Sequence, residues 1–389
     1  MINKHKIIVT GHPYAYPYYF KVFEYVNNLN DFVFVLPKIW KAKITINLKE
    51  KSGFKIYGAY ALSYGRKSFL GGPFKGWMPG LAFLLPYLCF KQRARVLYSC
   101  SEPNLLTTLF NNCLAKFWGM KVILFTWQNI ESKKRLRGLK LMISNTLVRF
   151  NLWLADGVIC GNSKAKEIIR QFNAKIPLII CPLSGVDTER FKIEKRDEWK
   201  NKNGLGDKKL ILFYGALDKR KGVEFLLRAF ALMKVPNSFL IIIGTGQKKD
   251  KLKALAEELK ISQSIKFFEW MPNEELPQIL NSSEVFVYPS ISSSGWEEQF
   301  GYAMAEAGAC EIPVIATATG SIGEVIKDGV TGFLVPPNNV SALRAVITKL
   351  LDDPILSKQM GIAGRQYIAS NFSNKVIADK IAEFLKSFS

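Results

Sequence analysis

"LILFYGALDKRKGVEFLLRAF", residues 210–230, holds the pattern from which the fold can be read. A short, continuous apolar run at 210–214 reads as a strand buried on both faces. A turn rich in Gly, Asp, Lys and Arg follows it. From residue 223 apolar residues recur at helical spacing, which predicts an amphipathic helix over 223–233. Strand, turn and helix in succession form the repeating unit of a parallel α/β sheet.

The same alternation extends outward in both directions. After residue 210 it continues with "FLIIIG" (239–244), "IKFFEW" (265–270), "VFVYPS" (285–290), "PVIATA" (313–318) and "GFLVP" (332–336), with helical stretches at 249–260 and 340–351. Before it lie "KIIVT" (6–10), "FVFVL" (32–36), "KVILFT" (121–126), "GVICG" (157–161) and "PLIICP" (177–182). Turn residues and a dense charge run interrupt the rhythm at 182–209. The prediction is an α/β protein of two doubly wound domains facing a cleft at the carboxyl ends of two sheets, where such folds bind ligands. A length of 389 residues agrees, since one hydrophobic core rarely serves so long a chain.

Composition narrows the function classes. The chain is 48% hydrophobic and carries a formal charge of +22. Residues 1–190 hold 28 Lys+Arg against 9 Asp+Glu, whereas the rest hold 26 against 23. So basic a first half suits an anionic partner: nucleic acid, lipid headgroups or an acidic substrate. General solubility is the plainer account. Six scattered cysteines and two histidines form no CxxC or Cys/His spacing, so neither a zinc site nor a disulfide frame is expected. The longest apolar stretch, "WMPGLAFLLPYLCF" (77–90), is shorter than the roughly 20 residues that span a bilayer and contains Pro79 and Pro86. No signal peptide or membrane span is expected.

"GWEEQFGYAMAEAGAC" (295–310) places Glu298 and Glu306 eight positions apart in a run of small and apolar residues. On helical geometry Glu298 stands at a helix entrance and Glu306 about 12 Å further along the axis. Glu306 then suits a ribose diol, since a carboxylate accepts two hydrogen bonds. The amides of Phe300, Gly301 and Tyr302 suit a diphosphate at the positive helix end, and Glu298 reaches the sugar. Alternatively Glu298 favours the helix terminus and Glu306 pairs with a base. Spacing alone leaves the two readings level.

"EQFGYAMAE" resembles the E-x7-E motif of retaining glycosyltransferases of family 4, which have the GT-B fold. "FYGALDKRKGVEFLLRAF" (213–230), "IIGTGQKKDKL" (242–252), "IKFFEWMPNEELPQILNSSEVFVYPS" (265–290) and "PLSGVDTERF" (182–191) are similar to further motifs of that family. "TWQNI" (126–130) and "GNSKAKEI" (161–168) are similar to weaker ones; before residue 120 the likeness is faint. The resemblance implies a nucleotide-sugar donor site in residues 186–372, with Glu298 by the sugar, Glu306 on the ribose and Lys221 on the diphosphate. Without it, Lys221 reads as one more surface lysine. Gly215 and Met271 are expected to line the donor pocket. Where many relatives carry Arg after the strand-end glycine this chain has Ala216, so Arg220 or Lys219 is expected to supply that charge, with Arg220 favoured because it adjoins Lys221. The resemblance puts Gly11, alone where relatives often have a Gly-Gly turn, at the donor phosphate, and Glu311 occupies a position where relatives commonly have Gly.

The resemblance further implies a retaining front-face reaction with no metal and no separate cofactor. It places acceptor recognition in residues 1–185, joined by the closing helix 373–389. Gln128, where many relatives have histidine, and Asn129 fall on the acceptor side. His12 is either an acceptor contact or a hydrogen-bonded loop histidine. Basic stretches "KIWKAK", "GRKSF", "KQRAR" and "ESKKRLRGLK", interleaved with aromatics such as Tyr14, Phe74, Trp77 and Phe83, suit an interfacial enzyme. The expected acceptor is a lipid-linked glycan or glycolipid, on an anionic membrane at its cytoplasmic face. Two other classes compete: a degenerate transferase kept as a scaffold, and a single-strand nucleic-acid binder. No RNP, helix-turn-helix or zinc-finger pattern supports the last.

Overall fold

All eleven apolar runs form strands, and they form them in parallel sheets. The structure, a computed structural model, describes residues 5–40, 43–44, 53–62, 74–194, 197–271, 275–293 and 295–389. The chain divides into two compact units, Met1–Gly185 with Asn374–Ser389, and Val186–Ser373.

In the first unit β1 (Lys6–Thr10), β2 (Phe32–Pro37), β3 (Ile56–Ala59), β4 (Ala94–Ser99), β5 (Lys121–Thr126), β6 (Gly157–Cys160) and β7 (Leu178–Ile180) make one sheet in the order β3-β2-β1-β4-β5-β6-β7. Every pairing is parallel; Ile8 stands opposite Val33 on one side and Leu97 on the other. Such strands are buried on both faces, so they read as unbroken Ile, Val and Phe. Two escaped sequence reading. β3, "IYGA", is a half-buried edge strand holding a glycine, and β4, "ARVLYS", exposes Arg95 in its first turn of pleat.

The connections along this sheet include the helices α1 (Leu81–Lys91), α2 (Leu106–Phe117), α3 (Gly138–Leu154) and α4 (Ser163–Phe172). Among the described residues no helix is long and apolar enough to cross a membrane. The closing helix of the chain, Asn374–Lys386, packs on this unit too. It buries Ile377, Ile381 and Leu385, its Asn374 side chain accepts from the Gly185 amide at 3.1 Å, and Lys386 pairs with Asp31 at 2.8 Å.

In the second unit β8 (Lys209–Tyr214), β9 (Ser238–Ile243), β10 (Ile265–Phe268), β11 (Val285–Tyr288), β12 (Val314–Thr317) and β13 (Gly332–Val335) pair in the order β10-β9-β8-β11-β12-β13, again all parallel. Helices Val223–Ala231, Lys249–Glu258 and Val340–Asp352 lie where periodicity predicts them. In both sheets the strand order reverses direction between the first and fourth strands, and that reversal marks the ligand-binding crevice of open α/β sheets.

Candidate active site

The reversal in the second unit falls between β8 and β11. Both strands end in a tyrosine, Tyr214 and Tyr288, and each hydroxyl meets one of the two glutamates. Tyr214 donates to Glu306 Oε2. Tyr288 donates to Glu298 Oε2 at 2.9 Å, and Ser290 Oγ lies 3.3 Å from the same oxygen. Both carboxylates are buried, Glu298 at 8% and Glu306 at 6% exposure. A carboxylate so placed needs partners, because burying an unpaired charge is costly.

Lys221 is the principal counter-charge. Its ammonium lies 2.6 Å from Glu298 Oε2 and also donates to the Tyr288 hydroxyl. Gly222 makes this approach possible. Its φ is +61°, and a Cβ there would stand 2.0 Å from the Pro289 carbonyl oxygen, so only glycine lets the Lys-Gly turn press against the end of β11. Arg220 follows a different route: its guanidinium is held by Asp218 and lies 4.7 Å from the Trp296 ring centroid, with Lys221 Nζ 5.3 Å from the same ring. The structure therefore brings Arg220, Lys221 and Glu298 into one cluster around Trp296.

The electrostatics follow from burial and pairing. Burial, and then the neighbouring Glu306, push the Tyr214 hydroxyl well above the ordinary tyrosine range; burial and Glu298 do the same to Tyr288. Both tyrosines stay protonated and serve as donors. Burial draws Asp218 upward, but the Arg220 guanidinium outweighs it and holds the carboxyl below its usual range. A cation, a set of donors and two buried carboxylates at a sheet's switch point suit a ligand that is anionic at one end and rich in hydroxyls.

One expectation needs correction. The helix runs from Tyr302 to Ala309 with Gly301 before it at φ +84°, so Glu298 precedes the helix in irregular chain and the rise of 1.5 Å per residue does not measure its distance from Glu306. Of the three amides assigned to the helix end, only that of Tyr302 lies in the first turn. Phe300 and Gly301 stand outside, with the Phe300 ring 5.2 Å from that of Phe372. Glu298 is fixed instead through its backbone, whose carbonyl accepts from the Ser321 amide at 2.9 Å. Gly215 directly follows β8, and half-buried Met271 follows β10.

In the first unit Gly11 follows β1 with φ +139°, and a Cβ there would meet the Cys100 carbonyl at 2.4 Å. That close approach accounts for a glycine at this position on packing alone. His12 lies against Gly76. Gln128 and the buried Asn129 follow β5, and the Gln128 amide donates to Ser132 Oγ at 3.0 Å. Sequence reading passed over Glu102, which follows β4. It accepts from Thr126 Oγ1 at 2.6 Å and from the Trp127 amide at 2.9 Å, and burial raises its carboxyl above the usual range. Tyr214, Tyr288, Ser290 and Trp296 were also missed as site residues. For Tyr214 and Tyr288 the available signal was a polar atom at the last position of a buried strand.

Glu311, the other departure, has φ +59°. It follows the helix end, where its amide donates to Gly308 O at 3.0 Å and that of Ile312 to Ala307 O at 3.1 Å. This is a Schellman closure, whose left-handed residue is usually glycine. It stands with Lys209, Ser283 and Glu284 at the amino ends of the strands, so the change does not touch the cluster at their carboxyl ends. Ala216 is half-buried beside Gly215, and nothing in the structure explains it. Among the described residues no three His, Cys, Asp or Glu side chains gather so as to hold a metal ion. "GRKSF" (65–69), Lys41–Ala42 of "KIWKAK", Pro272–Glu274 and Ser294 lie outside the described residues.

Residues 195–367 match the family model described as "Glycosyl transferases group 1". Over 207 residues the chain is 33% identical to the GDP-mannose-dependent alpha-(1-6)-phosphatidylinositol monomannoside mannosyltransferase of Mycolicibacterium smegmatis, covering 52% of this chain and 54% of that protein. Over 227 residues it is 30% identical to the D-inositol 3-phosphate glycosyltransferase of Streptomyces avermitilis, covering 55% and 48%. The chain spans about half the length of the curated relatives it matches. Among solved structures it is similar to Anabaena HepE in complex with UDP, with TM-score 0.78, 16% identity and 98% and 100% of the two chains covered. WaaG, a glycosyltransferase involved in lipopolysaccharide biosynthesis, follows at TM-score 0.66, 16% identity and 97% and 99%. At these identities the likeness is one of fold.

Proposed function

We propose, for a chain that belongs to the glycosyl transferases group 1 through residues 195–367 and has the GT-B fold, that it transfers a sugar from a nucleotide-sugar donor to a lipid-linked or polysaccharide acceptor with retention of anomeric configuration. The donor belongs to the second unit. Glu306, steadied by Tyr214, accepts from the ribose diol, with Gly215 and Met271 lining the pocket beside it. Lys221, with Arg220 beside it, stabilises the diphosphate as it gains charge. Glu298 meets the sugar. The amide of Tyr302, in the first turn of its helix, adds a donor. The observation that carries this reading is the pairing of Lys221 with Glu298 next to Tyr214 and Glu306 at one switch point.

In the reaction the bond from the anomeric carbon to the diphosphate oxygen breaks, and its electron pair leaves with the nucleotide. A new bond forms from the acceptor oxygen to the same carbon, and the acceptor's proton passes to the departing phosphate. The chain's own contribution is positioning and charge stabilisation. GDP-mannose is the first donor to try and a phosphatidylinositol-type glycolipid the first acceptor, by analogy with the mycobacterial relative. Acceptor contacts come from the first unit, near His12, Gln128 and Asn129. The basic first unit meets an anionic membrane on its cytoplasmic face, where nucleotide sugars are at hand. No metal enters the reaction, and activity should persist in excess chelator.

Incubation with labelled GDP-mannose and extracted lipid acceptors tests the reading, with NMR of the product's anomeric proton. Transfer with the donor's configuration supports it. Nucleotide-sugar binding without transfer to any lipid or glycan acceptor would favour a degenerate, scaffold-type protein instead.

A further inference from the structure

In the first unit β4, β5 and β6 succeed one another across the sheet, and right-handed crossovers put α1, α2 and α3 on one face of it. The three helices pack side by side, α1 on α2 and α2 on α3. Their inner sides supply core residues: Leu81, Leu85 and Leu88 from α1, Ala115 from α2, and Leu147, Val148 and Leu152 from α3. Their outer sides are also apolar, which is unusual for a helix layer facing water.

On α1 the exposed apolar residues are Phe83, Tyr87 and Phe90, recurring at i, i+4 and i+7; Phe83 is 85% exposed. On α2 Phe117 is 80% exposed, and its ring lies 5.4 Å from Trp118, which in turn lies 5.6 Å from Phe90 and so joins α2 to α1. On α3 Leu139, Met142, Ile143, Phe150 and Trp153 form one stripe opposite the buried side, and Trp153 is 78% exposed. Large exposed apolar patches mark interaction surfaces.

Charge identifies the partner. Residues 81–154 contain eleven Lys and Arg against two Asp and Glu. Of the two acids, Glu102 is engaged by Thr126 and Trp127, and Glu131 pairs with Lys133. Exposed Lys91, Arg93 and Arg95 close α1, while Lys134, Arg135, Arg137 and Lys140 open α3. Protein–protein interfaces are depleted in lysine, whereas aromatic and aliphatic insertion bordered by Lys and Arg is the composition of an interfacial helix on anionic lipid.

We infer that the outer face of α1, α2 and α3 is the membrane-docking surface of this protein, seating Phe83, Phe90, Phe117, Phe150 and Trp153 among the acyl chains of an anionic bilayer. The inference builds on the proposed lipid-linked acceptor and names the surface through which that acceptor's membrane is met. Co-sedimentation with vesicles of phosphatidylcholine alone, or with one-third phosphatidylglycerol, tests it at low and high salt. The wild type should partition to the anionic vesicles at least tenfold more than to the neutral ones, and high salt should reduce that partition. A triple variant, Phe83→Ser with Phe150→Ser and Trp153→Ser, should lose at least tenfold in partition while keeping the wild-type thermal response to nucleotide sugars. A polarity-sensitive dye on Cys113, an exposed cysteine of α2, should shift to the blue on anionic vesicles alone.

Undiminished binding by the triple variant, or an unshifted dye on sedimented protein, would move attachment elsewhere and overturn the inference. So would a wild type that ignores vesicles, or one that forms dimers which the triple variant dissolves. A nucleotide-sugar response without vesicle binding defeats this inference alone. Vesicle binding without any nucleotide-sugar response defeats the donor reading and leaves the surface standing.

Discussion

The two sheets share one strand order around their reversal points, yet the residues at those points differ in kind. In the second unit the reversal carries a half-buried cation, two buried carboxylates and two tyrosine hydroxyls joined in pairs. In the first unit it carries glycine at the end of β1 and a half-buried carboxylate, Glu102, whose partners are a threonine hydroxyl and a backbone amide. The backbone topology is the same; the chemistry is set by a handful of side chains after the strands. Fold therefore places a crevice, and the strand-end residues decide what enters it.

Removing the charge pair is the most severe way to break this contrast. Glu298→Ala leaves the half-buried Lys221 ammonium without its carboxylate, which should lower stability by about 1–3 kcal/mol. It should also reduce kcat/KM by about 10²–10³-fold, the usual loss when a transition-state contact goes. Denaturant melts and steady-state kinetics check both. Unaltered kinetics would reduce the pair to scaffolding.

Tyr214→Phe is gentler. It deletes one donor to Glu306 and should weaken nucleotide-sugar binding about tenfold, in line with a hydrogen bond to a charged group, while kcat changes little. Titration calorimetry reads the affinity directly. An equal fall in kcat would assign Tyr214 to the reaction and not to the ribose end.

Glu102 tests the first unit. Burial raises its folded pKa above the unfolded value of about 4.3, so the folded state holds this proton more tightly than the unfolded one. Its contribution to stability is fullest at low pH and is lost as pH rises through the raised folded pKa, becoming flat above it. Glu102→Gln should lack that slope. The difference in melting temperature between wild type and variant should therefore change across this acid window and nowhere above it. A pH-independent difference would mean that Glu102 titrates like an exposed carboxylate.

The smallest effect is a gain. Glu311→Gly relieves a left-handed backbone that costs a non-glycine residue about 1 kcal/mol and should raise the melting temperature by about 2–4 °C. Nucleotide-sugar affinity should not move, because Glu311 stands at the amino ends of the strands.

Much of this architecture can be read from the chain itself, since strands buried on both faces leave unbroken apolar runs. β4 escaped because its first residues continue the basic run "KQRAR", and β3 because an edge strand need not be apolar throughout. The site was harder. Lys221 and Glu298 are 77 positions apart, and only the strand order brings them together. Tyr214 and Tyr288 look like ordinary strand residues until their hydroxyls are seen to meet glutamates. The helix after Glu298 starts later than its composition suggests, because Gly301 turns left-handed and Phe300 packs on Phe372, a residue far along the chain.

The most direct test of the donor site is thermal unfolding of the purified protein with GDP-, UDP-, ADP- and dTDP-sugars, alongside Glu306→Ala. A ligand at 100 times its Kd adds about 2.7 kcal/mol to the stability of the folded state. The account predicts that one nucleotide sugar raises the melting temperature of the wild type and that Glu306→Ala abolishes the response. No response from any donor, or a full response in Glu306→Ala, would contradict it.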